Sequence, residues 1–237
     1  MKRRYSSFSD QKNQRHKLRW IILSILIFFL FYTSITSLFF SMRVLDNDTM
    51  APNLLNGDRF LFSSYSFYSL VPALSQDINI PRGSVVLVNI FKGEDPGIFL
   101  RVLDGTIRFF TAQQLSIIEQ NENIYVKRLI GLPGDEISMV NFIIRVRERG
   151  GNFGFTEFEM SENDYILDIP QVPALWDASL PFSGNMDPVI LGENEYFVIS
   201  DDRSNTNDSR TWGPISISNI SGRALFRYWP LSRVGIP

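Results

Sequence analysis

The chain has 237 residues, a formal net charge of −2, no cysteine and a single histidine. Without cysteine there is no disulfide, thiolate metal site or cysteine nucleophile, and the compartment leaves no cysteine trace. With His16 in a basic tail as the only histidine, a Ser-His-Asp triad or a histidine-ligated metal in the body of one chain is excluded, so hydrolytic chemistry would fall to hydroxyls, carboxylates or lysine.

Residues 1–19 carry seven Lys/Arg against Asp10, a net +6 that leaves −8 on the remainder and argues against a nucleic-acid-binding body. Trp20–Phe40 is uncharged and mostly apolar. As a helix it would measure roughly 31 Å, enough for a hydrocarbon core of roughly 30 Å. A cleaved leader has a shorter apolar region and ends at small residues, whereas this run ends Leu38-Phe39-Phe40-Ser41-Met42. Residues 20–40 are therefore expected to form one transmembrane helix of the cell (inner) membrane, with 1–19 in the cytoplasm and 41–237 outside it.

Beyond the anchor, β-branched and aromatic runs at 59–62, 84–90, 124–130, 142–147, 153–160, 196–199 and 224–229 alternate with turn residues. They predict a mainly β, antiparallel extracytoplasmic domain over 41–237. One helix is expected from Thr111 as N-cap through Glu119. Phe60–Val71, uncharged and aromatic, reads as a core strand with its turn or as a surface resting in the membrane interface. Residues 148–195, with the turn at Gly150-Gly151 and with Pro170, Pro173 and Pro181, read as a loop-rich insertion.

In the strand at 124–130, Tyr125, Lys127 and Leu129 lie on one face and Val126, Arg128 and Ile130 on the other. A compact domain buries at least one face, so one of the two cations sits in an apolar setting. Arginine stays charged there, whereas a desolvated lysine loses its proton and becomes a base. Pro133-Gly134 closes the strand with a type II turn. Thr49, within Asp46–Leu54, offers a hydroxyl that becomes a nucleophile only beside a base; taken alone it is an ordinary turn residue. Asp48-Thr49 also has the look of an aspartic-protease loop, with Asp201 or Asp202 as second carboxylate, although Met50 stands where such a loop has glycine. Ser200–Gly213 interleaves Asp, Arg and hydroxyls and reads either as a solvated loop with ion pairs or as a hydrogen-bonded floor under a site.

Taken in order, these segments resemble the bacterial type I signal peptidases, membrane-anchored proteases with a serine/lysine dyad. Thr49-Met50-Ala51-Pro52-Asn53-Leu54 is similar to the nucleophile box, Tyr125-Val126-Lys127-Arg128 through Asp135 to the general-base box, Asp201-Asp202-Arg203 through Gly213 to the Gly-Asp-Asn-Arg box, and Gly222–Pro230 to the closing strand. The chain departs from the pattern with Thr49 for the nucleophilic serine, Ser200 for the opening glycine, Asp202 for asparagine and Thr206 for the serine that helps hold the lysine.

The resemblance implies a membrane-bound endopeptidase that removes signal peptides from exported preproteins, with neutral Lys127 taking the Thr49 proton and Thr206 orienting the amine. It also implies an oxyanion met by the Thr49 N–H and the Asn47 amide, an Asp208–Arg210 supporting ion pair, and apolar pockets lined by Leu45, Met50, Leu54, Tyr125 and Val126. The substrate would bind as an added strand. No cofactor, metal or nucleic acid is expected; membrane lipid and signal peptides are the expected partners, the secretion translocon a further candidate. The alternative is a catalytically silent homologue that binds exported chains or partners without cutting them, because the Thr49 methyl restricts χ1 and crowds the attack.

Overall fold

The computed structural model describes residues 8–65, 79–90, 97–110, 117, 124–171 and 184–237. They fall into two compact units, one drawn from Met1–Leu38 and Pro96–Gln120, the other from Phe39–Asp95 and Asn121–Pro237. In the first, helix α1 spans Phe8–Phe39 and helix α2 spans Gly97–Phe110. Large apolar side chains of α1 stand exposed, Trp20 at 67% and Phe28 at 71% among them. Among the described residues no helix is long and apolar enough to cross a membrane.

Helix α2 was not anticipated, since Gly97 and Gly105 obscure its pattern; its apolar residues nonetheless recur at helical spacing. The helix expected over 111–119 lies outside the described residues except for Ile117.

The second unit is built from antiparallel strands. These are β1 (Phe40–Val44), β2 (Arg59–Ser64), β3 (Val85–Asn89), β4 (Ile124–Gly131), β5 (Glu136–Val140), β6 (Ile143–Arg147), β7 (Phe155–Thr156), β8 (Met186–Ile190), β9 (Glu195–Ile199), β10 (Ile215–Ser216) and β11 (Ile220–Trp229). They form a seven-stranded sheet in the order β1-β2-β11-β3-β4-β9-β10 and a four-stranded sheet in the order β7-β6-β5-β8. Every residue of the central strand β3 is buried. In β2 the alternation buries Phe60 and Phe62 on the core face, so this part of the uncharged run is core strand; 66–71 lie outside the described residues. Two glycine positions are required by geometry. Gly222 lets β11 approach β2 where a Cβ would lie 2.1 Å from the Ser63 carbonyl oxygen, and Gly134 takes φ +87° in the turn closed by the Asp135 N–H on the Leu132 carbonyl.

The smaller sheet starts at Glu136 and ends at Ile190, so it joins β5 and β6 to pieces of the segment read as an insertion. The strand expected over 153–160 is only two residues long, because a capping box between Thr156 and Glu159 turns Glu157–Met160 into a helical turn, α3. Strand β8 escaped the pattern because it contains Pro188, tolerated here at the edge of the sheet.

Candidate active site

Strand β4 lies between β3 and β9, and its residues from Lys127 to Gly131 are buried. Lys127 is 0% exposed and Arg128 1%, so the strand carries two buried cations that are handled oppositely. Arg128 makes a bidentate pair with Asp201 at 2.8 and 2.6 Å, donates to the Gly83 carbonyl at 2.6 Å, and stacks 4.0 Å from the Tyr165 ring centroid. Burial disfavours its charge, but Asp201 outweighs burial and holds the guanidinium protonated above its usual range.

Lys127 has no carboxylate partner among the described residues; its Nζ donates one hydrogen bond, to Ser200 Oγ at 2.7 Å. The Tyr125 and Trp212 rings, tilted against each other at 5.0 Å, each stand 6.0 Å from Nζ. Burial pushes the Lys127 pKa down to about 8, the Asp208 charge opposing this and that of Arg210 assisting it. At pH 7 about one lysine in ten is then neutral, against about 0.04% for a free side chain.

Ser200 follows the end of β9, and the loop after it folds back through Asp208, which caps the short helix α4 (Ser209–Trp212). Asp208 accepts from the Ser200 N–H at 3.0 Å and from Arg210 Nε and Nη2 at 2.9 and 2.7 Å. Burial alone would raise the Asp208 pKa, yet these donors hold it below the usual range.

The Thr49 loop is fastened to this frame at two points. The Asp202 N–H donates to the Thr49 carbonyl at 3.2 Å, and Asn53 Nδ2 donates to Asp201 Oδ2 at 2.8 Å. Asp201 thus ties the Thr49 loop to the strand that bears Lys127.

Several expectations need correction. The Thr49 hydroxyl donates to Asn47 Oδ1 at 2.8 Å and not to Lys127, and the Thr49 N–H donates to the same oxygen at 3.3 Å. An Asn side chain readily closes such a turn on the residue two positions on. Asn47 therefore presents an acceptor to Thr49, while its amide nitrogen donates to Asp46 at 2.8 Å. Turning the amide over would set donor against donor and carbonyl against carboxylate. The hydroxyl on the lysine belongs to Ser200 and not to Thr206, whose carbonyl accepts from Thr211 Oγ1 at 2.6 Å and from the Asp208 N–H at 2.8 Å.

Leu45, Met50 and Leu54 are buried in one core cluster with Phe60, Phe62 and Val85, so they form a floor and not open pocket walls. Val126 packs against that cluster, while Tyr125, on the other face of β4, meets Trp212. Of the two carboxylates the aspartic-protease alternative offered to Asp48, Asp201 is taken up by Arg128 and Asn53, while Asp202 accepts from the Ser204 N–H at 2.9 Å and hydroxyl at 2.6 Å and Asp48 from the Asn56 N–H at 2.8 Å. The sequence reading missed Ser200, Trp212 and Asn53. The only signal for Ser200 was that a hydroxyl stands where the resembling box opens with glycine.

Residues 17–229 match the family described as signal peptidase, peptidase S26. The chain is 26% identical over 193 residues to probable signal peptidase I-1 of Synechocystis, covering 81% of this chain and 73% of that protein. It is 28% identical over 176 residues to signal peptidase IB of Staphylococcus aureus, covering 73% and 81%. It is also 26% identical over 192 residues to the chloroplast thylakoidal processing peptidase 1 of Arabidopsis thaliana, covering 81% of this chain but 43% of that longer protein.

Proposed function

The chain belongs to the signal peptidase S26 family, and on that premise we propose that it is a membrane-anchored endopeptidase that removes signal peptides from exported preproteins by a Thr49/Lys127 dyad. The observation that carries this reading is Lys127: fully buried, without a carboxylate partner, and with its pKa pushed down to about 8. A structural lysine gains little from such a place, because burying an ammonium group is costly and apolar residues would pack there better.

Neutral Lys127 Nζ takes the proton of Thr49 Oγ1 as that oxygen bonds to the scissile carbonyl carbon. The carbonyl oxygen becomes an oxyanion, met by the Thr49 N–H once Asn47 has released it. Collapse breaks the C–N bond, the departing amine takes the proton from Lys127, and an ester links the signal peptide to Thr49. Water, deprotonated by the same amine, hydrolyses the ester. Reaching this state from the resting geometry requires the Thr49 hydroxyl to leave Asn47, and a substrate strand laid beside the loop supplies the occasion.

The anchor reading is supported by the uncharged run Trp20–Phe40, by the helix over Phe8–Phe39 and by its exposed apolar side chains. Thr49 lies only nine residues beyond Phe40, near where the scissile bond of an exported chain leaves its own membrane segment. Small residues at the junction, the Ala-x-Ala pattern, are the expected specificity.

The Thr49–Asn47 hydrogen bond gives the non-cleaving alternative its footing. One series decides: wild type, Thr49→Ser and Thr49→Ala on a preprotein with an Ala-x-Ala junction, product N-termini being sequenced. The dyad reading expects cleavage at the junction by wild type, equal or faster cleavage by Thr49→Ser, and loss of at least about 10²-fold in Thr49→Ala. Negligible cleavage by both wild type and Thr49→Ala favours the binding role.

A further inference from the structure

Ser200 is 0% exposed and its Oγ makes no hydrogen bond among the described residues other than the 2.7 Å contact with Lys127 Nζ. Its backbone is fixed on both sides: Ile199 before it pairs with Arg128 in the β4–β9 ladder, and its own N–H is held by Asp208. Its place in the frame makes it a fixed acceptor for the amine. We propose that Ser200 is the positioning residue for the base, its hydroxyl accepting an N–H of Lys127 so that the amine is held in one orientation while its lone pair stays available to the Thr49 side.

The assignment deepens the dyad reading and rests on it for its catalytic meaning. The contact is useful in both protonation states, because neutral amine and ammonium each keep an N–H to donate. In the neutral amine the bond fixes which direction is left for the lone pair. Once the amine has taken a proton, the same oxygen stabilises the buried ammonium. Thr206, on the loop after Ser200, has a hydroxyl without such a contact. The serine in place of glycine at the head of this box thus takes the role that the motif would give to position 206.

The test is the titration of Lys127 in the full chain in detergent micelles, read by NMR from lysine labelled with carbon-13 at Cε. The chain has only five lysines, and the Lys127 signal is assigned by its loss in Lys127→Ala. Removing the acceptor destabilises the ammonium, so Ser200→Ala is expected to shift the titration about one pH unit lower than in wild type, an amount typical of one hydrogen bond to a charged group. Ser200→Gly, which leaves no side chain to repack, is expected to shift it the same way and guards against misfolding of the alanine variant. Thr206→Val is expected to shift it by less than about 0.3 unit. In preprotein cleavage, kcat of Ser200→Ala is expected to fall about 10- to 100-fold with KM within about twofold, since orientation and not binding is lost. An unmoved titration in both Ser200 variants, or an equal or larger shift in Thr206→Val, overturns the assignment. The titration needs no turnover, so a wild-type chain that does not cut preproteins sinks the proposed function while the contact is still judged by the Lys127 shift.

Discussion

At the scale of single residues, the chain places two adjacent cations in one strand and treats them in opposite ways. Arg128 is neutralised by Asp201 and serves the architecture; Lys127 is left without an anion, and burial pushes it toward its neutral form. The free-energy cost has a definite sign. The pKa of Lys127 is about 8 in the folded chain against 10.5 for the ordinary side chain, so the folded chain binds fewer protons between those values. The destabilisation is therefore full below about pH 8 and vanishes as pH rises past 10.5. Lys127→Met is expected to be more stable than wild type by an amount that shrinks by about 3 kcal/mol between pH 7 and pH 10.5, as read by denaturant unfolding at the two pH values. A difference that does not change with pH would mean that the lysine is not desolvated. Alternation left either Lys127 or Arg128 as the buried cation, and the structure buries both. The hydroxyl partner of Lys127 was not legible, because which side chain meets Nζ depends on how β9 pairs with β4 and not on local sequence.

At the scale of elements, the candidate site is a junction of three pieces: β4 with Lys127, the β1–β2 connection with Thr49, and the loop after β9. Asp201 links them, binding Arg128 through both oxygens and Asn53 through one, while entirely buried. Asp201→Ala leaves the Arg128 guanidinium buried without its anion and is expected to destabilise the domain by about 3–5 kcal/mol in urea unfolding, whereas Asn53→Ala removes one hydrogen bond and should cost about 1–2 kcal/mol. Comparable losses in the two variants would show that Asp201 is not the link. The strands with strong β-branched runs, β2, β3, β4, β6, β9 and β11, were legible in the sequence. Those missed have physical reasons. β5, Glu-Ile-Ser-Met-Val, holds only two β-branched residues, β8 carries a proline, β10 is two residues long, and β1 continues an apolar run whose character belongs to the preceding helix. The hydrogen bond of Thr49 with Asn47 was missed because the motif assigned the Asn47 amide to an oxyanion, whereas its oxygen closes the local turn on Thr49.

At the scale of the whole molecule, an uncharged helical run precedes a two-sheet body whose candidate nucleophile stands close behind it in sequence. The four ordered motifs made the family legible because chemistry constrains them far more tightly than packing does. If Trp20–Phe40 spans the bilayer, the full chain should stay in the membrane pellet through high salt and alkaline carbonate, and deletion of residues 1–40 should release it; extraction of the intact chain by carbonate would mean a peripheral attachment. The central claim is that an uncharged Lys127 drives peptide cleavage. The direct measurement is the initial rate of preprotein cleavage by wild type and Lys127→Ala across pH 6–10. The wild-type rate is predicted to rise about tenfold per pH unit and level off above about pH 8, where the amine is neutral, with Lys127→Ala slower by about 10²- to 10⁴-fold throughout. Cleavage by Lys127→Ala at the wild-type rate, or a wild-type rate that falls as pH rises from 6 to 8, would contradict it.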